Sequence, residues 1–285
     1  MAQHRERALF VGEDDSEWLL STSGVVLDRD FLDLPERARK PRDIGLTVAI
    51  DGGLPTALFR DYVTSHGDLL DAVKFGWGTS LATRDLQYKL DLLQGVGIDY
   101  FFGGTLFEKA LQQNRVDRFF DFCAAAGCRW LEISNGTLPV APAEKARYIT
   151  QAANRFRVMS EVGRKDGLQS AALGPDDWIA EIERDFAAGA ELVVAEARES
   201  GTSGICDAEG RIRCELIDGI LGAGIRPDSL IFEAPNKAMQ THFIRLLGSN
   251  ANLGNIAFND LVGLETLRLG LRSDTLQAFD RENEL

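Results

Sequence analysis

Short apolar runs alternate with helical segments along most of this chain, and no other feature of the sequence restricts the fold as strongly. Eight such runs have strand character, from residues 44–50 to residues 253–258, and a helical segment follows each of them. Strands that alternate with helices form parallel sheets, and eight units favour closure into a barrel over an open sheet. The pattern therefore predicts an α/β fold, an eight-stranded parallel (β/α)8 TIM barrel.

The barrel is expected to occupy residues 41–285, as a catalytic domain, and to follow an N-terminal extension of residues 1–40. The chain has 285 residues and 45% hydrophobic content. A single barrel commonly has this length. The extension is polar and charged, and the basic run of residues 37–42, with Pro41, leads into the first strand. Breaker residues of this kind mark a loose connection.

Composition argues against two classes of partner. The formal net charge is −13, and no cluster of Lys and Arg stands out, so binding to a nucleic acid is not expected. No apolar segment approaches the roughly 20 residues that cross a bilayer, and the start of the chain lacks the apolar run of a secretory signal. We therefore expect a cytoplasmic protein that contacts no membrane. A homo-oligomer is a separate expectation, which composition does not supply.

Four apolar runs end on a glutamate, and this repetition indicates a site. The residues are Glu132, Glu161, Glu196 and Glu233. One glutamate at a strand end is commonly a solvated side chain, but the carboxyl ends of all barrel strands meet at one opening. Carboxylates that lie close together need a divalent cation, cationic partners or protons. The three histidines are scattered, so oxygen ligands and Mg²⁺ are favoured over zinc or iron. Asp51, at the end of the first strand, is added to these candidate ligands.

Basic residues occur near the same strand ends. They are Lys74, Arg164, Lys165, Arg198 and Lys237. Some of them must be counterions of the glutamates, but together they predict a pocket for a small polyanion. Arg198 could present a planar fork to a phosphate or carboxylate beside a glycine-rich loop that contains Ser200.

Two further features bear on the chemistry of the pocket. Gly103 and Gly104 precede a helix, where free backbone N–H groups can hold phosphate, although two glycines are a weak signal. Lys165 could give or take a proton if neighbouring cations lower its pKa. A metal ion with such a lysine suits reactions that pass through an enolate or aci-carboxylate.

Nine ordered segments carry a family resemblance. They are Lys74–Ser80, Gly103–Glu108, Glu132–Ser134, Glu161–Lys165, Arg198–Gly201, Phe232–Pro235, Asn252–Ile256, Leu264–Arg268 and Gly270–Arg272. With these segments the chain resembles the phosphosulfolactate synthase family over about residues 41–277. So many matches in order are more specific than any one of them.

The resemblance implies a Mg²⁺-dependent lyase that adds sulfite to C3 of phosphoenolpyruvate. The product would be (2R)-2-phospho-3-sulfolactate, formed in the first step of coenzyme M biosynthesis, although sulfolactate made for another purpose is equally open. Lys165 matches the family's candidate proton donor, and Glu161 and Lys74 complete the expected catalytic set. The expected substrate-binding residues are Gly103, Gly104, Thr105, Arg164, Arg198, Ser200 and Asn255.

Two positions depart from the family pattern. Gly52 stands where the family typically has the lysine of Asp-Lys-Gly, and Asn135 stands where it has the aspartate of Ser-Asp-Gly. The two losses, one of each sign, could compensate each other or indicate a different substrate; we favour retained activity. Two alternatives follow: an enolate-forming barrel that uses another nucleophile or another unsaturated acid, and a barrel without catalysis that binds a partner through residues 1–40.

Overall fold

The structure is a computed structural model, and it describes residues 31–198 and 200–279. Its centre is a sheet of eight parallel strands in the hydrogen-bonded order β3-β2-β1-β8-β7-β6-β5-β4. The strands are Thr47–Asp51 (β1), Ala72–Phe75 (β2), Asp99–Phe102 (β3), Trp130–Ile133 (β4), Arg157–Val162 (β5), Leu192–Ala195 (β6), Leu230–Glu233 (β7) and Leu253–Ile256 (β8). The first strand pairs with the last, so the sheet curves into a nearly closed barrel. The predicted (β/α)8 fold is confirmed.

Helices follow every strand. They are Thr56–His66 (α1), Thr79–Ala82 (α2), Leu86–Gly95 (α3), Gly104–Gln112 (α4), Val116–Ala125 (α5), Pro142–Ala153 (α6), Gly167–Ala172 (α7), Pro175–Ala187 (α8), Cys214–Gly222 (α9), Lys237–Leu247 (α10) and Leu261–Arg268 (α11). The short α2 and α7 come soon after the ends of β2 and β5, where a barrel carries its chemistry. No helix in the described ranges is long and apolar enough to cross a membrane.

The helices pack on the outer face of the barrel through an apolar layer. In α1, Phe59 and Val63 are buried, one helical turn apart. The ring of Phe59 lies 6.4 Å from that of Phe75 on β2 and 5.3 Å from that of Phe258. Burying one such side chain contributes about 1.5–3 kcal/mol. This layer holds the strands in place around the interior.

The interior of the barrel has an apolar layer and a charged layer, and the period of two along each strand produces both. The apolar layer consists of Val48, Ala72, Phe101, Trp130, Met159, Leu192, Val194 and Ile231. Side chains two residues apart on a strand share a face. Glu161 therefore follows Met159 on the inner side of β5, and Lys74 follows Ala72 on β2. The charged residues lie nearer the carboxyl ends of the strands.

Side chains bridge the seam at which β3 and β4, the ends of the hydrogen-bonded order, lie side by side. The indole Nε1 of Trp130 donates to Oδ2 of Asp99 at 3.1 Å. The backbone N–H of Gly104 donates to Oε2 of Glu132. These two contacts couple the seam to the charged layer.

Part of the predicted N-terminal extension contacts the barrel. Residues 1–30 of the extension lie outside the described residues, whereas the chain from Leu34 onward belongs to the same compact unit as the barrel. Arg37 Nε donates to Glu265 Oε1 in α11 at 2.9 Å, and its Nη1 donates to the backbone carbonyl of Ser249 at 3.0 Å. This arginine fastens the segment before β1 to α11 and to the loop before β8.

Candidate active site

Four glutamates from neighbouring strands gather at the carboxyl end of the barrel. Glu132 lies in β4, Glu161 in β5 and Glu233 in β7, and Glu196 directly follows β6. Each is at most 1% exposed. Buried carboxylates are costly unless they are paired or coordinate a metal. Their partners therefore decide what the site can do.

The ammonium group of Lys74 lies among three of these carboxylates. Its Nζ is 2.9 Å from Glu132 Oε1, 3.2 Å from Glu161 Oε2 and 3.3 Å from Glu233 Oε1. Burial alone would lower the pKa of Lys74, but the carboxylates raise it well above its usual value. Lys74 is therefore a permanent cation, and the three carboxylates around its Nζ fix it in place.

Lys165 is the second cation of the cluster and the more accessible one. Its Nζ lies 3.0 Å from Glu161 Oε1 and 3.4 Å from Glu196 Oε2, and its side chain is 23% exposed. Burial and Lys74 would lower the pKa of Lys165, but Glu161 and Glu196 raise it. The lowered pKa considered from the sequence is not found, because carboxylates outweigh cations around this group. Lys165 is a protonated ammonium, the form that donates a proton.

Three of the glutamates offer oxygens that could bind one metal ion. One carboxylate oxygen each of Glu161, Glu196 and Glu233 lies within 4.8 Å of the other two. Glu161 Oε1 and Glu196 Oε2 are buried without a well-aligned hydrogen bond, although Lys165 Nζ lies within ion-pair distance of both. Oxygen-only ligands suit a hard cation such as Mg²⁺. The residues present therefore fit the expected ion.

The cluster carries more negative charge than positive charge. Four carboxylates surround two ammonium groups, which leaves a formal charge of two negative units. Burial raises the pKa of Glu132 to about 7, and burial with Glu233 and Glu161 raises the pKa of Glu196 well above its usual value. Burial would also raise the pKa of Glu161, but Lys165 and Lys74 lower it. Protons or a divalent cation must neutralise the excess charge.

A cavity of about 380 Å³ adjoins the cluster. Small-molecule sites commonly enclose about 300–1,000 Å³, so this cavity suits a compact acid. The predicted residues that line it are Lys74, Gly103, Thr105, Lys165, Glu196, Arg198, Glu233 and Asn255. Four other residues also line it: Ile50, Trp77, Thr137 and Asp166. Most of these residues are polar or charged, and two of them have large apolar side chains.

Arg164 was predicted to bind substrate, but its guanidinium is directed away from the cavity. It donates to Asn135 Oδ1 at 3.0 Å and to Glu181 Oε2 at 3.3 Å. Lys145, which the sequence analysis missed, lies 3.1 Å from Glu181 Oε1 and donates to the backbone carbonyl of Glu161 at 2.7 Å. These contacts connect α6 and α8 to the end of β5. Arg164 therefore helps to position the end of β5 through its contacts with Asn135 and Glu181.

Asp51 was predicted to be a metal ligand, but its carboxylate is occupied elsewhere. Its Oδ2 lies 2.5 Å from Nζ of Lys89 in α3. Its Oδ1 accepts the backbone N–H groups of Gly53 and Leu54, each at 2.7 Å. Both side chains are completely buried. Asp51 therefore fixes the loop after β1 and is not one of the three grouped metal candidates.

Replacing Lys89 with methionine is expected to lower the free energy of unfolding by about 3–5 kcal/mol, because the change leaves a buried carboxylate without its cation. Adding Asp51→Asn should recover part of the loss, since an amide oxygen still accepts the loop N–H groups. Denaturant titration measures both changes.

The exposed ion pair of Arg155 with Asp121 supplies the control. Arg155→Met should change the free energy of unfolding by less than about 1 kcal/mol. A loss in Lys89→Met no larger than in this control would show that the buried pair is not required.

Gly103 and Gly104 were predicted to offer free N–H groups, but both groups already have acceptors. Gly103 N–H donates to the carbonyl of Phe75 at 3.0 Å, and Gly104 N–H donates to Glu132 Oε2. A Cβ on Gly104 would lie 2.4 Å from Ser134 Oγ. Glycine is needed here for the close approach of α4 to β4.

The remaining predicted binding residues differ in their positions. Arg198 lines the cavity, and its Nη1 donates to the carbonyl of Lys165 at 3.3 Å. Asn255 also lines the cavity, and its Oδ1 is buried and accepts no hydrogen bond from the described residues. Ser200 is exposed, and its hydroxyl pairs with that of Thr202 at 2.7 Å. Arg198 and Asn255 are available to a ligand, whereas Ser200 is not part of the cavity wall.

Comparison with known proteins identifies the family to which this barrel belongs. The family model described as (2R)-phospho-3-sulfolactate synthase matches residues 35–274. The chain belongs to the phosphosulfolactate synthase family. The resemblance predicted from the sequence is thus confirmed, and the family is one of enzymes.

Individual relatives agree with this assignment over nearly their full length. The phosphosulfolactate synthase of Bacillus subtilis (strain 168) is 50% identical over 247 residues, which cover 86% of this chain and 98% of the relative. The phosphosulfolactate synthase of Methanothermobacter thermautotrophicus is 41% identical over 251 residues, which cover 87% of this chain and 96% of the relative.

More distant solved structures share the fold. The YdjI aldolase of Escherichia coli K12 is 13% identical, with a TM-score of 0.51 over 83% of this chain and 89% of the aldolase. Phosphonopyruvate hydrolase, solved with oxalate and Mg⁺⁺, is 13% identical, with a TM-score of 0.50 over 76% of this chain and 77% of the hydrolase. These two similarities concern the barrel alone.

The two departures from the phosphosulfolactate synthase pattern have different neighbours. A Cβ on Gly52 would meet the ring of Trp77, whereas Asn135 is buried and accepts a hydrogen bond from Arg164. In these contacts the two positions have no neighbour in common.

Proposed function

We propose that this member of the phosphosulfolactate synthase family adds sulfite to C3 of phosphoenolpyruvate in the presence of Mg²⁺, giving (2R)-2-phospho-3-sulfolactate. The observation that carries the proposal is the pairing of a protonated Lys165 with a buried cluster of carboxylates at one cavity. Relatives of 41–50% identity bear the name of this activity.

Binding of two anionic substrates requires cations that face the cavity. Lys74, Lys165 and Arg198 line it. Arg198 is the most exposed of the three and suits a phosphate, because a planar guanidinium can make two parallel hydrogen bonds to one anion. Lys74 is held by three glutamates, so it contributes charge at a fixed position. The cations together lower the repulsion between the two substrates.

The reaction also requires stabilisation of the negative charge that develops on the substrate carboxylate, and the three metal candidates serve this purpose. Glu161, Glu196 and Glu233 would hold Mg²⁺, which when bound stabilises the negative charge that develops on the substrate carboxylate. Lys74 keeps Glu161 and Glu233 oriented, because its Nζ contacts one oxygen of each. The protein thus presents a preorganised site for the charge of the transition state.

The reaction forms one C–S bond and one C–H bond. The sulfur lone pair of sulfite attacks C3, and the π electrons of the C2–C3 bond move onto C2 and the carboxylate. Lys165 Nζ then donates its proton to C2, and the phosphate ester is retained. Solvent restores the proton of Lys165, whose side chain is partly exposed. A fixed donor on one side of the cavity protonates one face of C2, which accounts for a single configuration in the product.

The test is an assay of the purified protein with phosphoenolpyruvate, sulfite and Mg²⁺, followed by ³¹P NMR and mass spectrometry. We expect a phosphorylated adduct that requires all three components and disappears when a chelator removes the metal. Controls omit sulfite or replace phosphoenolpyruvate with pyruvate, which lacks the enol phosphate. No adduct with sulfite, together with product from another nucleophile, would overturn the choice of sulfite. No binding of either substrate would overturn the enzymatic proposal.

A further inference from the structure

Trp77 stands out among the cavity residues that the sequence analysis did not select. It lies between β2 and α2 with φ 49° and ψ 26°, a left-handed conformation that is rare for a bulky residue and is found most often where function requires it. Its side chain lines the cavity and is 51% exposed. A large aromatic ring thus lies at the exposed edge of the cavity, and the left-handed backbone that holds it there costs free energy.

The loop after β1 holds this ring in place. A Cβ on Gly52 would lie 2.8 Å from Cζ3 and 3.3 Å from Cη2 of Trp77, so the ring lies directly against this glycine. Thr79 Oγ1, two residues beyond Trp77, donates to the carbonyl of Asp51 at 3.1 Å. Asp51 is itself fixed by Lys89. The position of the ring is therefore set by two connected loops.

Trp77 and Ile50 are the large apolar side chains among residues that are otherwise mostly charged or polar. The phosphate and carboxylate of a three-carbon enol phosphate require the cations and the metal candidates. Its methylene carbon, C3, has no polar group and is left to the apolar part of the wall.

We propose that Trp77, seated against Gly52, determines substrate specificity by limiting the substrate to an enol phosphate whose C3 carries no substituent. This inference rests on the proposed function and deepens it. A methyl group on C3 lies in the plane of the double bond and would meet the ring. The nucleophile approaches perpendicular to that plane, so the same wall leaves its path open.

The experiment compares phosphoenolpyruvate with its C3-methyl homologue, 2-phosphooxy-2-butenoate, in both geometric isomers. Wild-type protein should strongly prefer phosphoenolpyruvate. Trp77→Ala should raise the ratio of kcat/KM for the better homologue isomer to kcat/KM for phosphoenolpyruvate by about 10-fold or more, the scale of discrimination for one methylene group. Trp77→Gly removes the same ring and relieves the left-handed backbone, so it serves if the alanine variant folds poorly.

Leu81→Ala is the matched control. Leu81 is an apolar residue of α2, 68% exposed, and it is not among the residues that line the cavity. Its replacement should leave the specificity ratio unchanged. An unchanged ratio in the folded Trp77 variants, or an equal rise in Leu81→Ala, would overturn the role of Trp77.

Calorimetric titration separates this inference from the proposed reaction. The dissociation constants of phosphoenolpyruvate and the homologue are measured with Mg²⁺ and without sulfite, in wild-type protein and in the variants. If sulfite proves not to be the nucleophile, the ratio of the two constants should still shift by about 10-fold toward the homologue in Trp77→Ala. A ratio that does not shift overturns the inference whatever the nucleophile is.

Discussion

Replacing Lys165 with alanine is expected to lower kcat for adduct formation by about 10²–10⁴-fold, the contribution typical of a positioned general acid. Glu161 and Glu196 keep this ammonium protonated and hold it beside the cavity. Loss of the group removes the proton that C2 needs, whereas two other cations that line the cavity, Lys74 and Arg198, remain. The expected pattern is therefore a large loss in kcat with a smaller rise in KM.

Two further variants separate proton donation from charge. Lys165→Arg keeps the positive charge, but its planar guanidinium is not deprotonated in proteins and places its N–H groups differently, so it should restore KM and leave kcat low. Lys237→Ala is the control, because Lys237 pairs with Asp274 on the surface and does not line the cavity; its activity should match wild type. Turnover of Lys165→Ala within about threefold of wild type, far short of a general-acid effect, would reject Lys165 as the acid.

Replacing Glu196 with glutamine is expected to weaken Mg²⁺ binding by at least about 100-fold, since even residues that only orient a ligand contribute about 10–100-fold. Glu196 belongs to the group of three carboxylates, and its Oε2 lacks a well-aligned hydrogen bond. The amide removes a charge and the stronger ligand while keeping the shape of the side chain. Calorimetric titration with Mg²⁺ alone measures the loss without reference to catalysis.

Glu132→Gln is the matched control for this change. Glu132 is equally buried, but it is held by Lys74 and Gly104 and lies outside the group of three. Its replacement also removes one carboxylate, so it should weaken Mg²⁺ binding only through charge, by about 10-fold or less. Equal losses in the two variants would mean that the ion is attracted by charge and does not bind to Glu196.

The fold was predictable because its signal is local and repeated. The pattern of apolar residues within each segment indicates whether it forms a strand or a helix. Eight repetitions of one strand–helix unit can pack in only a few ways. The same regularity predicted the cluster of glutamates. Glu161 and Glu233 end apolar runs, and parallel strands bring such ends to one opening.

The orientation of individual charged side chains was not predictable in this way. Arg164 and Asp51 stand at strand ends like the cluster residues, yet each is directed to a partner from a distant helix, Glu181 in α8 and Lys89 in α3. Which of several nearby charges forms a pair depends on packing between helices and strands. A lysine or glutamate at a buried helical position, such as Lys89 or Glu181, is the sequence signal that could have indicated these partners.

The roles of the glycines were also hard to predict, because their contacts depend on packing between distant segments. Gly103 and Gly104 were interpreted as donors of free N–H groups, but both N–H groups already have acceptors within the protein, and Gly104 also leaves space for Ser134. Gly52 was interpreted as a lost cation, and the sequence did not indicate that the ring of Trp77 lies against it. The sequence signal for Trp77 was its place between two glycines directly after β2, where a barrel carries its chemistry.

The alternation of inner and outer residues along β5 makes the site sensitive to strand length. One extra residue between Met159 and Glu161 would turn the carboxylate toward the surrounding helices and bring Val162 inward. The barrel could still close, yet Lys74 and Lys165 would lose the carboxylate that they share, and the group of metal candidates would lose one member. Evolution of this enzyme can therefore lengthen or shorten its loops far more freely than its strands.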